Sequence, residues 1–214
     1  MPSDLKKILS ILHTEYKNPK TELENWTNTT QFMVCVMLSA QATDKGVNKV
    51  TKSLFYKYKT LKDFANANLE DVEKLVSSIN YYKTKSKRII DACKFILSEF
   101  NGKFPTDIEK LIKIPGIGRK SANVIINEAL NVQNQGIVVD THVMRVTNRL
   151  KLQPYNNQKD AEKIESELKN IIPKNEWQFI SNAFVLHGRY ICKAKNPNCK
   201  NCKLNKICPS AFKI

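Results

Sequence analysis

Four cysteines crowd into one short stretch of this 214-residue chain: Cys192, Cys199, Cys202 and Cys208, in the spacing C-x6-C-x2-C-x5-C. Soft thiolates this close together predict one metal centre. The spacing leaves two occupants open, a structural zinc held tetrahedrally by four sulfurs or a [4Fe–4S] cluster. The other two cysteines, Cys35 and Cys93, lie in apolar stripes and read as small buried hydrophobes. The polar start Met1-Pro2-Ser3-Asp4 does not read as a signal peptide. In a cytosolic chain, cysteines point to metal or catalysis before disulfides.

A second constellation centres on Pro115-Gly116-Ile117-Gly118, followed by Arg119 and Lys120. The glycines let the backbone turn tightly and let a ligand approach without a Cβ in the way. Free amides and the positive end of a helix dipole would then suit a phosphate; a plain turn between two helices would look similar. Lys120 has two readings. It could grip a phosphate, or its neutral amine could attack an electrophilic carbon. The second costs about 4 kcal/mol, because only ~0.1% of an ordinary lysine is neutral near pH 7.4. The helix N-terminus, Arg119 and partial burial would each reduce that cost. Further on, Val138-Val139-Asp140-Thr141-His142 reads as an extended piece entering a helix with Asp140 as its N-cap. A carboxylate held there stays ionised, so it could also accept a proton or steady a cationic intermediate. His13, His142 and His187 have no metal spacing and read as structural or surface residues.

The elements that must position these residues read as all-α, with apolar residues recurring at helical spacing and almost no strict alternation. Leu5, Ile8, Leu9 and Leu12 form one stripe, ending before Asn18-Pro19. Asn28 and Gln31 suggest a capping box ahead of Phe32 to Leu38, and Val47, Val50 and Leu54 follow Thr43-Asp44. Asn68 caps a stripe of Leu69, Val72, Leu75, Val76 and Ile79; another, Ile89 to Phe100, is closed by Asn101-Gly102. Thr106 and Glu109 predict a capping box for a short helix ending at Lys113, and Arg119 to about Leu130 forms its partner, making a helix–hairpin–helix. The polar stretch 131–136 reads as a crossing between two bodies. Asp140, Asn157 and Asn175 each precede a helical stretch.

Composition bounds the partners. Thirty-five Lys plus Arg against 20 Asp plus Glu give a formal charge of +15, spread along the chain. Polyanions are the expected partners, bound with strong salt dependence. Hydrophobic residues at 42% and charged residues at 26% argue for a folded, soluble chain. The longest apolar run, Phe32 to Leu38, is far too short for a bilayer, and no concentrated basic amphipathic segment is readable. A cytoplasmic location, nucleoid-associated in a bacterium, is expected, with no membrane partner and a monomer as the default.

Taken in order, Leu38-Ser39-Ala40-Gln41-Ala42-Thr43-Asp44, the hairpin from Ile114 to Ala122, Val139-Asp140-Thr141-His142, Leu186-His187-Gly188-Arg189 and the cysteine pattern resemble the endonuclease III branch of the helix–hairpin–helix DNA glycosylases. The resemblance covers nearly the whole chain. It implies a six-helix domain at 23–133 containing the hairpin (about 107–130), and a [4Fe–4S] cluster domain from 1–22 plus 134–214, with a DNA-binding cleft between them. It implies a base-excision enzyme acting on double-stranded DNA with damaged pyrimidines or abasic sites, removing oxidised pyrimidines and cutting 3′ to the site by β-elimination. Lys120 would be the nucleophile that forms a Schiff base, Asp140 its carboxylate partner, and Cys192, Cys199, Cys202 and Cys208 the cluster ligands. The target base would be flipped out of the stack. DNA contacts would come from Gln41, Tyr81, Gly116, Gly118, Arg119, Thr141, His142, Lys193 and Lys195, with Gln41 filling the gap left by the flipped nucleotide.

The loop 79–82, which by resemblance inserts beside the opposite base, departs from the family pattern of Gly and then an aliphatic residue: here it has Asn80 and Tyr81. Asn tolerates the left-handed region, so the turn is expected to survive. Tyr81 would stack where an aliphatic side chain would wedge, which leaves the opposite-base preference open. Adenine-mispair glycosylases generally lack a lysine at the nucleophile position and add a C-terminal domain, so Lys120 and the end at Ile214 weigh against them. A non-catalytic DNA-binding module or an electron carrier are the readings from other classes; a carrier would leave the hairpin, Lys120 and Asp140 without a task.

Overall fold

In a computed structural model of the chain, residues 3–130, 132, 135–152 and 159–213 are described. Among them every regular element is helical, as the periodicity requires, and none is long and apolar enough to cross a membrane. The chain divides into two compact units, Thr21–Val132 and Met1–Lys20 with Gln133–Ile214.

The first unit contains α2 (Thr29–Ser39), α3 (Asp44–Lys57), α4 (Leu61–Ala65), α5 (Leu69–Leu75), α6 (Tyr82–Glu99), α7 (Ile108–Leu111) and α8 (Arg119–Glu128). α2 is buried from Thr30 to Leu38, the state expected of a helix that is apolar on all sides. It forms the axis of a core that also takes in Val47, Leu54, Phe64, Val72, Ile89, Ile96, Leu111 and Ile125. Burial stabilises each such side chain by roughly 1.5–3 kcal/mol. The second unit contains α1 (Ser3–Glu15), α9 (Thr141–Arg149), α10 (Ala161–Ile171) and α11 (Trp177–Tyr190). Its core joins the Leu5, Ile8, Leu9 and Leu12 stripe to Val143, Val146, Ile164, Leu168, Ile180 and Phe184.

Local hydrogen bonding fixes the helix starts. Asn28 and Asn68 cap α2 and α5 as expected, and Thr43 caps α3. The Gln31 side chain accepts from the Thr27 backbone and hydroxyl, one residue earlier than a capping box requires. α7 is capped by Asp107, which accepts from Lys110 N, and not by Thr106; an anionic cap also suits the positive helix end. α5 stops at Leu75, so Val76 and Ile79 pack from its C-terminal turn. α4 is marked by a full Thr60/Asp63 capping box that apolar periodicity does not show. Asn175 lies inside a 3-10 turn, Lys174–Glu176, with α11 starting two residues later. Asn157 and half of the 131–136 crossing fall outside the described residues.

Candidate active site and metal centre

α7, the turn and α8 form the helix–hairpin–helix, and the two glycines in it do different work. Gly116 has φ 82°, and a Cβ there would come within 2.9 Å of Met37 Cε and 3.3 Å of Arg88. It is therefore required by the turn and by packing onto α2 and α6. Gly118 is extended (φ −93°, ψ 174°) and would place a Cβ in open space. As N-cap of α8 it offers no side chain to the first-turn amides, so those amides remain approachable by an anion. Arg119 extends to within 3.4 Å of the Glu109 carboxylate. Lys120, one residue on, is exposed, so burial does not lower the cost of its neutral form. Its neighbour Ser121 lines a concavity of about 280 Å³ with Met37, Gln41, Tyr81, Arg88 and Gly116.

The left-handed residue of the 79–82 turn is Tyr81 (φ 59°), not Asn80. The turn survives because the Asn80 side chain donates to Gln41 O at 3.1 Å. Gln41 is itself left-handed at φ 55° and exposed.

In the second unit Asp140 caps α9 as the sequence indicates. Its Oδ1 accepts from His142 N at 2.8 Å and Val143 N at 2.9 Å, and Oδ2 lies 3.0 Å from His142 Nδ1. The two amides and the His142 ring fix the orientation of a carboxylate that is only 14% exposed. Thr141, the first residue of α9, is exposed. Gly188 is where α11 meets α9, since a Cβ there would lie 2.7 Å from that of His142.

Cys192, Cys199, Cys202 and Cys208 line a single cavity with Val146, Leu150, Ile191 and Leu204. Burial pushes the Cys202 thiol up to about 11 and raises that of Cys208, so occupancy by a cationic group would have to release protons. Sequence reasoning missed the groups around this cavity. Arg149 donates to the Cys192 sulfur at 3.3 Å and to the carbonyls of Lys193 at 2.7 Å and Ala194 at 3.1 Å. Arg145 donates to Cys192 O at 2.8 Å and Gly188 O at 2.7 Å. Their i, i+4 spacing on α9 was the available signal. They hold the loop from which Lys193 and Lys195 project, exposed. His187 is structural, as expected, but it also faces the cavity. Burial pushes it down to about 4, so it is neutral; the Tyr16 phenol is pushed up to about 12 and stays protonated. The Tyr16 hydroxyl lies 3.2 Å from His187 Nδ1, and Nε2 lies 3.6 Å from the Cys202 sulfur. His13 stacks on Phe179 and reaches Glu176 at 2.8 Å.

A helix–hairpin–helix in an all-α chain with a helix-capping aspartate and a four-cysteine loop defines a class. The HhH-GPD superfamily of base excision DNA repair proteins matches residues 34–174. The chain is similar to endonuclease III of Rickettsia conorii, 40% identical over 210 residues, 98% of this chain and 97% of that one. It is similar to endonuclease III of Synechocystis sp., 38% identical over 205 residues, 96% and 91% of the two chains. Among solved structures it is similar to a trapped endonuclease III–DNA covalent intermediate in an estranged-adenine complex, with a TM-score of 0.91 and 37% identity over 100% of this chain and 98% of that one. The chain belongs to the endonuclease III family of the HhH-GPD superfamily and is a base-excision repair DNA glycosylase.

Proposed function

We propose that the chain removes oxidised pyrimidines from duplex DNA and then cuts the strand 3′ to the abasic site, with Lys120 as nucleophile and Asp140 as its carboxylate partner. The observation that carries this reading is the placement of Lys120. It stands exposed at the second position of α8, beside helix amides that Gly118 leaves open to a phosphate. The neutral Nζ attacks C1′ of a flipped nucleotide, the glycosidic bond breaks and the base departs with the electron pair and a proton. The sugar then opens at C1′–O4′, the ring oxygen takes up a proton, and the nitrogen keeps one hydrogen as a protonated Schiff base, which acidifies C2′–H. Removal of that proton expels the 3′ phosphate by β-elimination. Asp140, oriented by His142 and the α9 amides, assists the proton transfers or stabilises positive charge on the sugar.

The reading is tested on a duplex carrying thymine glycol. Release of the base together with a nick 3′ to the site is expected; base release without a nick would overturn the lyase step, and no release would overturn the substrate class. DNA affinity should also fall steeply with salt, as the charge of +15 requires.

The four cysteines fit a [4Fe–4S] cluster. All four line one cavity, and four thiolates are the donor set such a cluster takes. Bound there through the four sulfurs, the cluster would staple residues 192–208, with the Arg149 N–H and the His187 ring toward its ligands. Purified protein should contain about four irons and four sulfides per chain, and Cys202→Ala should lose both and unfold at lower temperature. Stoichiometric zinc in a colourless protein would contradict the assignment.

A further inference from the structure

Three hydrogen bonds tie residues 80–85 to the carbonyls at the C-terminal end of α2. Lys85 Nζ donates to Leu38 O at 2.8 Å and Ala40 O at 2.6 Å. Asn80 Nδ2 donates to Gln41 O at 3.1 Å. The last carbonyls of a helix have no partner within it, and a cation suits that end of the dipole. Lys85 is 7% exposed, so its two bonds are a permanent part of the core. The Asn80 bond lies at the surface and acts on the one residue of the three that is left-handed.

The result is a ridge between two hollows. Gln41 borders both; Tyr81 borders the hollow that reaches Ser121 and Gly116, and Asn80 borders the other, of about 430 Å³, with Thr43, Gly46 and Ser78. Tyr81 stands on the ridge 68% exposed, at φ 59°. A bulky aromatic held in the left-handed region and left in water is uncommon. An exposed ring of this kind is a platform on which any base can stack.

We propose that Asn80 is a positioning residue: its bond to the Gln41 carbonyl couples Gln41 and Tyr81, so that the Tyr81 ring stacks on the base left opposite the lesion while Gln41 is seated. The proposal rests on the reading that the chain binds damaged duplex DNA. If the Asn80 amide is removed, the two left-handed residues move independently and stacking is lost, although both side chains remain.

The test uses duplexes in which 2-aminopurine lies opposite a tetrahydrofuran abasic analogue, reading fluorescence at saturating protein together with the dissociation constant. The native chain is expected to change the 2-aminopurine signal strongly, and Tyr81→Ala to abolish that change. Asn80→Ala should lose most of the change and bind this duplex roughly fivefold more weakly, with binding to undamaged duplex unaltered. Because Asn80 acts through Tyr81, the double variant should be no worse than Tyr81→Ala alone. A full signal in Asn80→Ala, or additive losses in the double variant, would overturn the proposal. If the native chain does not prefer the abasic-analogue duplex to an undamaged one, the underlying reading fails and the proposal with it.

Discussion

Lys120→Gln is expected to lower strand cleavage at an abasic site by at least about 10³-fold, corresponding to roughly 4 kcal/mol of lost transition-state stabilisation. Glutamine is polar, one atom shorter and uncharged, and has no amine lone pair able to form an imine. Lys120 is exposed at the start of α8, so the change should alter stability by no more than about 0.5 kcal/mol. The thermal midpoint should therefore stay put while the chemistry is lost. If Lys120 only gripped a phosphate, the same variant would weaken DNA binding and reduce its salt dependence by about one ion while leaving cleavage of saturated substrate intact. Single-turnover rates at saturating enzyme separate the two outcomes.

Asp140→Asn carries the next largest effect, a fall in single-turnover base release of about 10²- to 10⁴-fold. Here the structure lets catalysis be separated from folding. Asp140 Oδ1 accepts from the amides of His142 and Val143, and an asparagine carbonyl can do the same, since Asn and Asp are comparable N-caps. The charge is lost and the cap is kept. Asp140→Ala loses both and should cost about 1 kcal/mol more in stability. An active Asn variant beside an inactive, destabilised Ala variant would reduce Asp140 to a helix cap.

The parts of the molecule legible in its sequence are those written in short range. The α1 stripe, the apolar run Phe32 to Leu38 of α2, the Asp140 cap and the cysteine loop each depend on residues a few positions apart. What was not legible depends on distant partners. Lys85 reaches carbonyls more than forty residues away, and nothing around it in sequence marks it for burial. Arg145 and Arg149 show an i, i+4 pattern that fits a solvated face equally well, and their short bonds come from the distant segment between Gly188 and Ala194. Asn80 was read for its own backbone tolerance, whereas its side chain closes the turn and leaves Tyr81 left-handed. At α7, Thr106 and Asp107 are both good caps, and one residue of register decided between them.

The central claim is that the Lys120 amine becomes covalently bonded to the sugar. It is tested most directly by incubating the native protein with an abasic-site duplex and borohydride, then mapping the adduct by mass spectrometry. The expected result is one protein–DNA conjugate whose modified peptide contains Lys120, absent from Lys120→Gln. No conjugate with the native chain, or an undiminished one in the variant, would contradict the account.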